Sequence, residues 1–283
     1  MKTFNIVNWN IYFSGRINPE KITKKVRSLV NGNDVFVLTE FINNKNGDVI
    51  KKGLKDYDIA HHNLSGIDET NHKGFLCATD NTVLIASSSK IHKISSQSKE
   101  GEICNDIYLK LTKGIYELKK CLYVSMIDDV IFIPVFFFND PKEKYHQRCG
   151  NYLGEEIVKT INDLRYGFSD HPIILLGDFD SGPGTQPPKK SSRVFSKLST
   201  DNGWFNVNPN LSERSCRQYG NWDDNTWQSL PDHIFINNQL KENSRWETPA
   251  FLNPCDNKGQ ACDPKKLEVY SDHKLQHFVI TTN

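Results

Sequence analysis

Long apolar runs are missing from this sequence. No stretch reaches the ~18 apolar residues that a membrane-spanning helix needs, so no membrane partner is expected. A charged start followed by a long apolar run is missing as well. Met1, Lys2, Thr3, Phe4 and Asn5 lead straight into a strand-like pattern, so no signal peptide is expected and the chain reads as cytoplasmic. Charge of one sign is lacking too: 35 Lys and Arg stand against 34 Asp and Glu, a formal net charge of +1. A neutral chain has no global field to collect a polyanion, so any such site must be a local patch. Seven cysteines are present, but in no CxxC spacing. Their odd number and wide scatter fit reduced thiols rather than a stapled scaffold or a zinc site; only Cys255 and Cys262 are placed to pair, and then in an oxidising setting. No repeat, low-complexity tract or linker divides the sequence, so residues 1–283 read as a single domain.

What is present is a mixture of helical and extended patterns. Hydrophobic residues make up 37% and charged residues 24%, enough for a substantial core. Strands are expected over 4–10, 34–40, 82–86, 107–111, 130–138, 232–236 and 277–280. Pro134, inside one of them, marks a bulge or an edge. Asn18 followed by Pro19 starts a helix, with Ile22, Val26, Leu29 and Val30 as its apolar stripe and Gly32 closing it. Leu153, Ile157, Ile161 and Leu164 make a second amphipathic helix, and Val194, Phe195 and Leu198 suggest a third.

The centre of the chain is the stretch from Ile173 to Pro183. Ile173, Ile174, Leu175 and Leu176 form a buried strand of the kind found inside a covered sheet. Gly177 ends the run, and Asp178 and Asp180 follow. In extended chain, residues two apart point the same way, so both carboxylates are expected on one side. A single Asp here is readily explained as a turn residue. Two after a four-residue apolar run point to chemistry, because buried carboxylates without partners are costly.

Other strand-like runs also end in polar residues: Asn10, Glu40, Asp232, Asp272 and His273. Hard divalent cations take oxygen ligands and few protein carboxylates. Glu40 and Asn10, with Asp272 from the far end of the chain, fit Mg²⁺, with Mn²⁺ as a substitute. His273, partnered by Asp232, fits a protonated group facing a phosphate.

The order of these motifs resembles the endonuclease/exonuclease/phosphatase superfamily. The matching residues are Asn8-Trp9-Asn10-Ile11, Leu38-Thr39-Glu40, Gly177-Asp178-Phe179-Asp180-Ser181, Pro231-Asp232-His233-Ile234-Phe235 and Ser271-Asp272-His273, with Asn81 leading a further strand. The resemblance implies an α/β fold, the DNase I-like four-layer α/β sandwich, with two packed mixed β-sheets flanked by helices. It implies Glu40 as principal metal ligand, supported by Asn10 and Asp272. It makes Asp178 the group that orients and deprotonates the attacking water, with Asp180 helping to hold it. His273, buttressed by Asp232, stabilises the charge of the transition state.

Two departures stand out. The superfamily usually has Asn where this chain has Asp180. Adjacent carboxylates repel, so Asp180 is expected to share a cation or hold a proton; unchanged metal dependence in Asp180→Asn would refute this. Many members carry His or Tyr near the end of the 130–138 strand, where this chain has Phe136, Phe137, Phe138 and Asn139. Asn139, His146 or the loop pair His61 and His62 are the candidates to take over the phosphate contact. Lys189, Lys190 and Arg193 follow the acids and suit a phosphate backbone. Trp204, Trp222, Trp227 and Trp246 offer stacking surfaces. The cations Lys21, Lys24, Lys25 and Arg27 are better read as a solvated helix face. The expected activity is a Mg²⁺-dependent nuclease, endonuclease or exonuclease, acting on DNA. The alternatives are a phosphatase or phosphodiesterase of small or lipid phosphates, and a catalytically degenerate binding protein on the same scaffold.

Overall fold

The computed structural model describes residues 1–11, 18–30, 32–62, 82–93, 124–136, 158–159, 161–179, 192–201, 203–208, 230–252, 271 and 273–283. Thirteen strands are described: β1 (Lys2–Asn10), β2 (Asn33–Phe41), β3 (Asp58–His62), β4 (Thr82–Ser87), β5 (Ile91–Lys93), β6 (Ser125–Ile127), β7 (Val130–Phe136), β8 (Ile173–Asp178), β9 (Trp204–Asn206), β10 (Asp232–Asn237), β11 (Ser244–Trp246), β12 (Ala250–Leu252) and β13 (Leu275–Thr282). Four helices accompany them: α1 (Pro19–Arg27), α2 (Lys45–Gly53), α3 (Ser192–Thr200) and α4 (Asn238–Asn243). Residues 161–167 are also helical.

The strands form two mixed sheets. The first runs β11-β13-β1-β2-β4-β3, with β12 also on β13; the second runs β5-β6-β7-β8-β10-β9. The period of two along each strand sorts the side chains into layers. Phe4 and Ile6 of β1, Val35 and Val37 of β2, Ile174 and Leu176 of β8 and Ile234 and Ile236 of β10 meet in one buried cluster between the sheets. The intervening residues face outward. Val7, Trp9, Phe36 and Leu38 pack under Ile22, Val26 and Ile50 of α1 and α2. Ile173, Leu175 and Phe235 pack under Ile161, Leu164 and Leu198 of the helical layer on the other side. The result is helices, sheet, sheet, helices: the four-layer sandwich that the resemblance implies.

Several local expectations need correction. Helix α1 ends at Arg27 rather than running to Gly32, and Asn18 stands at its N-cap without making a side-chain capping bond. Leu29 and Val30, beyond the helix end, still pack against the same cluster. Pro134 lies on an interior strand, paired with Leu176 of β8. The described pairing of β7 with β6 covers Val130 to Phe132. His61 and His62 belong to strand β3 and not to a loop. The expected strand over 107–111, and all seven cysteines, lie outside the described residues.

Candidate active site

The site lies where the inner faces of both sheets change from apolar to polar at one rim. On β1 the inward series Phe4, Ile6 continues as Asn8 and Asn10; on β8 the series Ile174, Leu176 continues as Asp178. Asp232 begins β10 and stands directly opposite Asp178 in the antiparallel pair. Two carboxylates facing each other across a ladder repel, so their partners decide whether the arrangement is tolerable.

Those partners are present. Asn10 Nδ2 donates to Asp178 Oδ2 at 2.9 Å and to Glu40 Oε1 at 3.1 Å. His273 Nδ1 lies 2.8 Å from Asp232 Oδ2, and His273 Nε2 lies 3.9 Å from Asp178 Oδ2. An ionised carboxylate only accepts hydrogen bonds, so His273 donates from Nδ1 and turns Nε2 toward Asp178. The loop carrying His273 is tied to β1: Trp9 Nε1 donates to the His273 carbonyl at 3.0 Å, the His273 amide donates to Ser271 Oγ at 3.0 Å, and Ser271 Oγ donates to the Asn10 carbonyl at 2.5 Å. Asp178, Asp232 and His273 are 5%, 1% and 6% exposed, so these charges interact in a medium that screens them weakly.

Glu40 reaches the same rim by a different device. Regular alternation from Phe36 and Leu38 would aim residue 40 outward. Between Leu38 and Phe41 the pairing of β2 with β4 slips by one residue, and Glu40 adopts φ +56°. This bulge turns the carboxylate inward onto Asn10. A left-handed residue other than glycine costs about 1–3 kcal/mol and persists where its surroundings enforce it, which marks Glu40 as a strained position at the site.

Gly177 serves the neighbouring acid. Its φ is +142°, and a Cβ there would lie 1.9 Å from the Val135 carbonyl oxygen. Only glycine allows β7 to press this closely against the strand that delivers Asp178.

Among the described residues the structure therefore gathers Asn10, Glu40, Asp178, Asp232 and His273. Asp180, Asp272, Asn81, Asn139, His146, Lys189 and Lys190 lie outside the described residues. Trp204 is no stacking platform: it is buried in the core of the second sheet, its Nε1 donating to Asn162 Oδ1 at 2.8 Å. Trp246 packs on Phe205, with ring centres 5.6 Å apart. Arg27 of the α1 basic set is used locally, bonded to the Gly53 carbonyl and to Asp56. Asn8, Gln276 and Ser271 are buried polar members of the site's foundation that the sequence reading left without roles. The signal for Gln276 was its place two residues before Phe278, on a face that is otherwise apolar.

The donors around Asn10 are carboxylate and carboxamide oxygens, the set that hard divalent cations prefer. A second grouping is Asp178, Asp232 and His273, whose ligand atoms lie within 4.8 Å of one another. In that grouping, Asp232 Oδ2 is engaged by His273 Nδ1, whereas Glu40 and Asp178 both accept from the Asn10 amide. The Glu40 side of Asp178 fits a divalent cation better.

No family model matches the chain, and no curated protein matches it. Solved structures do. Truncated TDP2 of Caenorhabditis elegans superposes with TM-score 0.57 and 12% identity over 99% of this chain and 98% of that one. The 3′-5′ exonuclease NExo of Neisseria meningitidis gives TM-score 0.58 and 16% identity, covering 99% of both chains. An AP endonuclease of Archaeoglobus fulgidus gives 0.55 and 12%, again over 99% of both. At these identities the likeness is one of fold alone, the DNase I-like four-layer sandwich.

Proposed function

We propose that this protein is a divalent-metal-dependent phosphodiesterase that hydrolyses DNA. The observation that carries the reading is the convergence on one buried rim of Glu40, Asn10 and Asp178 with an imidazole held by Asp232. Nucleic acid as substrate is supported by the neighbours of like fold, which include an AP endonuclease and the 3′ phosphatase NExo of Neisseria bound to a product DNA hairpin.

Glu40 and Asn10, with Asp272, would hold Mg²⁺ or Mn²⁺, which supplies charge neutralisation at a phosphoryl oxygen. The remaining work belongs to the chain's own groups. Asp178 takes the proton of the attacking water and orients it, with Asp180 alongside. Its hydrogen bond from Asn10 keeps Oδ2 in place. His273 presents Nε2 beside Asp178, 3.9 Å from its Oδ2, so a phosphate bound at that edge meets a positioned donor. Asp232 stabilises the imidazolium and holds its ring against rotation. Burial strengthens each of these interactions. Lys189 and Lys190, directly after the acids in sequence, suit the flanking backbone phosphates, while Asn81 and Asn139 are the candidate contacts to the scissile one.

The test is a substrate panel of duplex DNA, single-stranded DNA, RNA, inositol phosphates and sphingomyelin, run with Mg²⁺, with Mn²⁺ and with EDTA. DNA cleavage that EDTA abolishes is expected, with a loss of about 10²- to 10⁴-fold in Asp178→Ala. Turnover confined to small or lipid phosphates would move the substrate assignment. Turnover of nothing would leave a binding protein on a catalytic scaffold.

A further inference from the structure

Asn8 on β1 and Gln276 on β13 stand opposite each other in the antiparallel pair, and both are buried. They lie on the inner face, where Ile6, Phe278 and Ile280 form the apolar core. Asn8 Nδ2 donates to Gln276 Oε1 at 2.6 Å, and Gln276 Nε2 donates to the backbone carbonyl of Asp232 at 3.1 Å. The last member fixes the direction of the whole chain. A backbone carbonyl only accepts, so Gln276 must present its NH₂ to Asp232 and its oxygen to Asn8. Asn8 must then present its own NH₂. Gln276 thus ties the first sheet to the main chain of the residue whose carboxylate holds His273.

A glutamine in this position costs desolvation that a leucine or methionine would avoid. Asp232 occupies the end of its ladder, in the terminal pair with Asp178. A displacement of its main chain would move its carboxylate and swing the imidazole. We propose that Gln276, aligned by Asn8, is a positioning residue that sets the place of Asp232 and thereby the direction of His273 Nε2. This rests on reading the rim as a phosphodiesterase site.

The experiment uses the full chain and two readouts. One is the set of ¹⁵N ring shifts of His273 in metal-free protein, which report the Nδ1–H bond to Asp232 without any catalysis. The other is kcat and KM for DNA cleavage. Gln276→Met keeps the volume and removes the donor. It is expected to move the His273 ring shifts and to lower kcat about 10- to 100-fold, the range for loss of an outer partner of a site residue, with little change in KM. In an Asp232→Asn background, Gln276→Met should add almost nothing. Ile280→Val, a core change on the same strand, should lower Tm and leave the ring shifts alone. Should Gln276→Met not fold, Asn8→Leu leaves Gln276 in place but unaligned and should shift the same resonances.

Unchanged ring shifts in the folded variants would overturn the proposal. So would a kcat loss that multiplies in full onto Asp232→Asn. If the protein cleaves no phosphodiester at all, the functional reading falls, and the ring shifts still decide whether Gln276 positions the dyad.

Discussion

At the scale of single residues, the site combines one strained backbone and one irreplaceable glycine. Gly177 sits against Val135 with no room for a Cβ. Gly177→Ala is therefore expected to push β7 from β8 and to lower stability by about 1–3 kcal/mol, as overpacking does, measured by urea unfolding; a variant as stable as the parent would contradict the close approach. A second residue links the fold to pH. Burial holds the His277 imidazole below its ordinary value of 6.5, so the folded chain keeps it neutral where the unfolded chain takes up a proton. Stability then rises with pH through this window and falls as pH drops below about 6.5. His277→Gln should flatten the difference in unfolding free energy between pH 7.5 and pH 5.5. An identical pH dependence in the variant would contradict the assignment. Several of these residues were legible beforehand. Asp178 announced itself because an apolar strand ending in an acid is hard to explain otherwise, and Asp232 and His273 because strand ends supplied them. Glu40 was chosen for its position in the motif, but its left-handed φ could not be read, since nothing in Leu38-Thr39-Glu40-Phe41 encodes the slipped register with β4.

At the scale of elements, strands that carry a clean period of two were the most readable. β1, β2, β4, β8 and β10 all fall where apolar alternation or apolar runs put them. Helix α2 was missed because its sequence, Lys45 to Gly53, is mostly polar and contains two glycines, one of them at its end. What starts it is local: Asn44 Oδ1 accepts from the amides of Asn46 and Gly47 at 3.0 and 3.1 Å. What holds it is tertiary: Ile50 and Leu54 are buried beneath the first sheet. Asn44→Ala is expected to cost about 1 kcal/mol, the usual worth of an N-cap, read from the denaturation midpoint; no change would show that packing alone holds the helix. β3 was missed for a related reason. Its five residues, Asp58 to His62, include two polar ends, and only Ala60 reaches the inter-sheet core.

At the scale of the whole molecule, the four-layer arrangement could be anticipated from the order of the motifs. The meeting of the two sheets could not be seen from composition. Asn10 comes from the first sheet and Asp178 from the second, 168 residues apart in sequence, and one hydrogen bond joins them. Gln276 makes a second such link to Asp232. A site assembled across the gap between two sheets depends on their register. The inter-sheet core thus supports the site: Phe4, Ile6, Ile174, Leu176 and Ile234 hold the distance at which Asn10 and Asp178 meet.

The most direct measurement of that convergence is a Mn²⁺ titration of the full chain followed by electron paramagnetic resonance. The parent protein should bind the ion, and Glu40→Gln should weaken that binding by about tenfold or more, since one carboxylate of a hard-cation set is lost. DNA cleavage should fall in step. Mn²⁺ binding of equal strength in parent and Glu40→Gln, or no binding by the parent at all, would contradict the account.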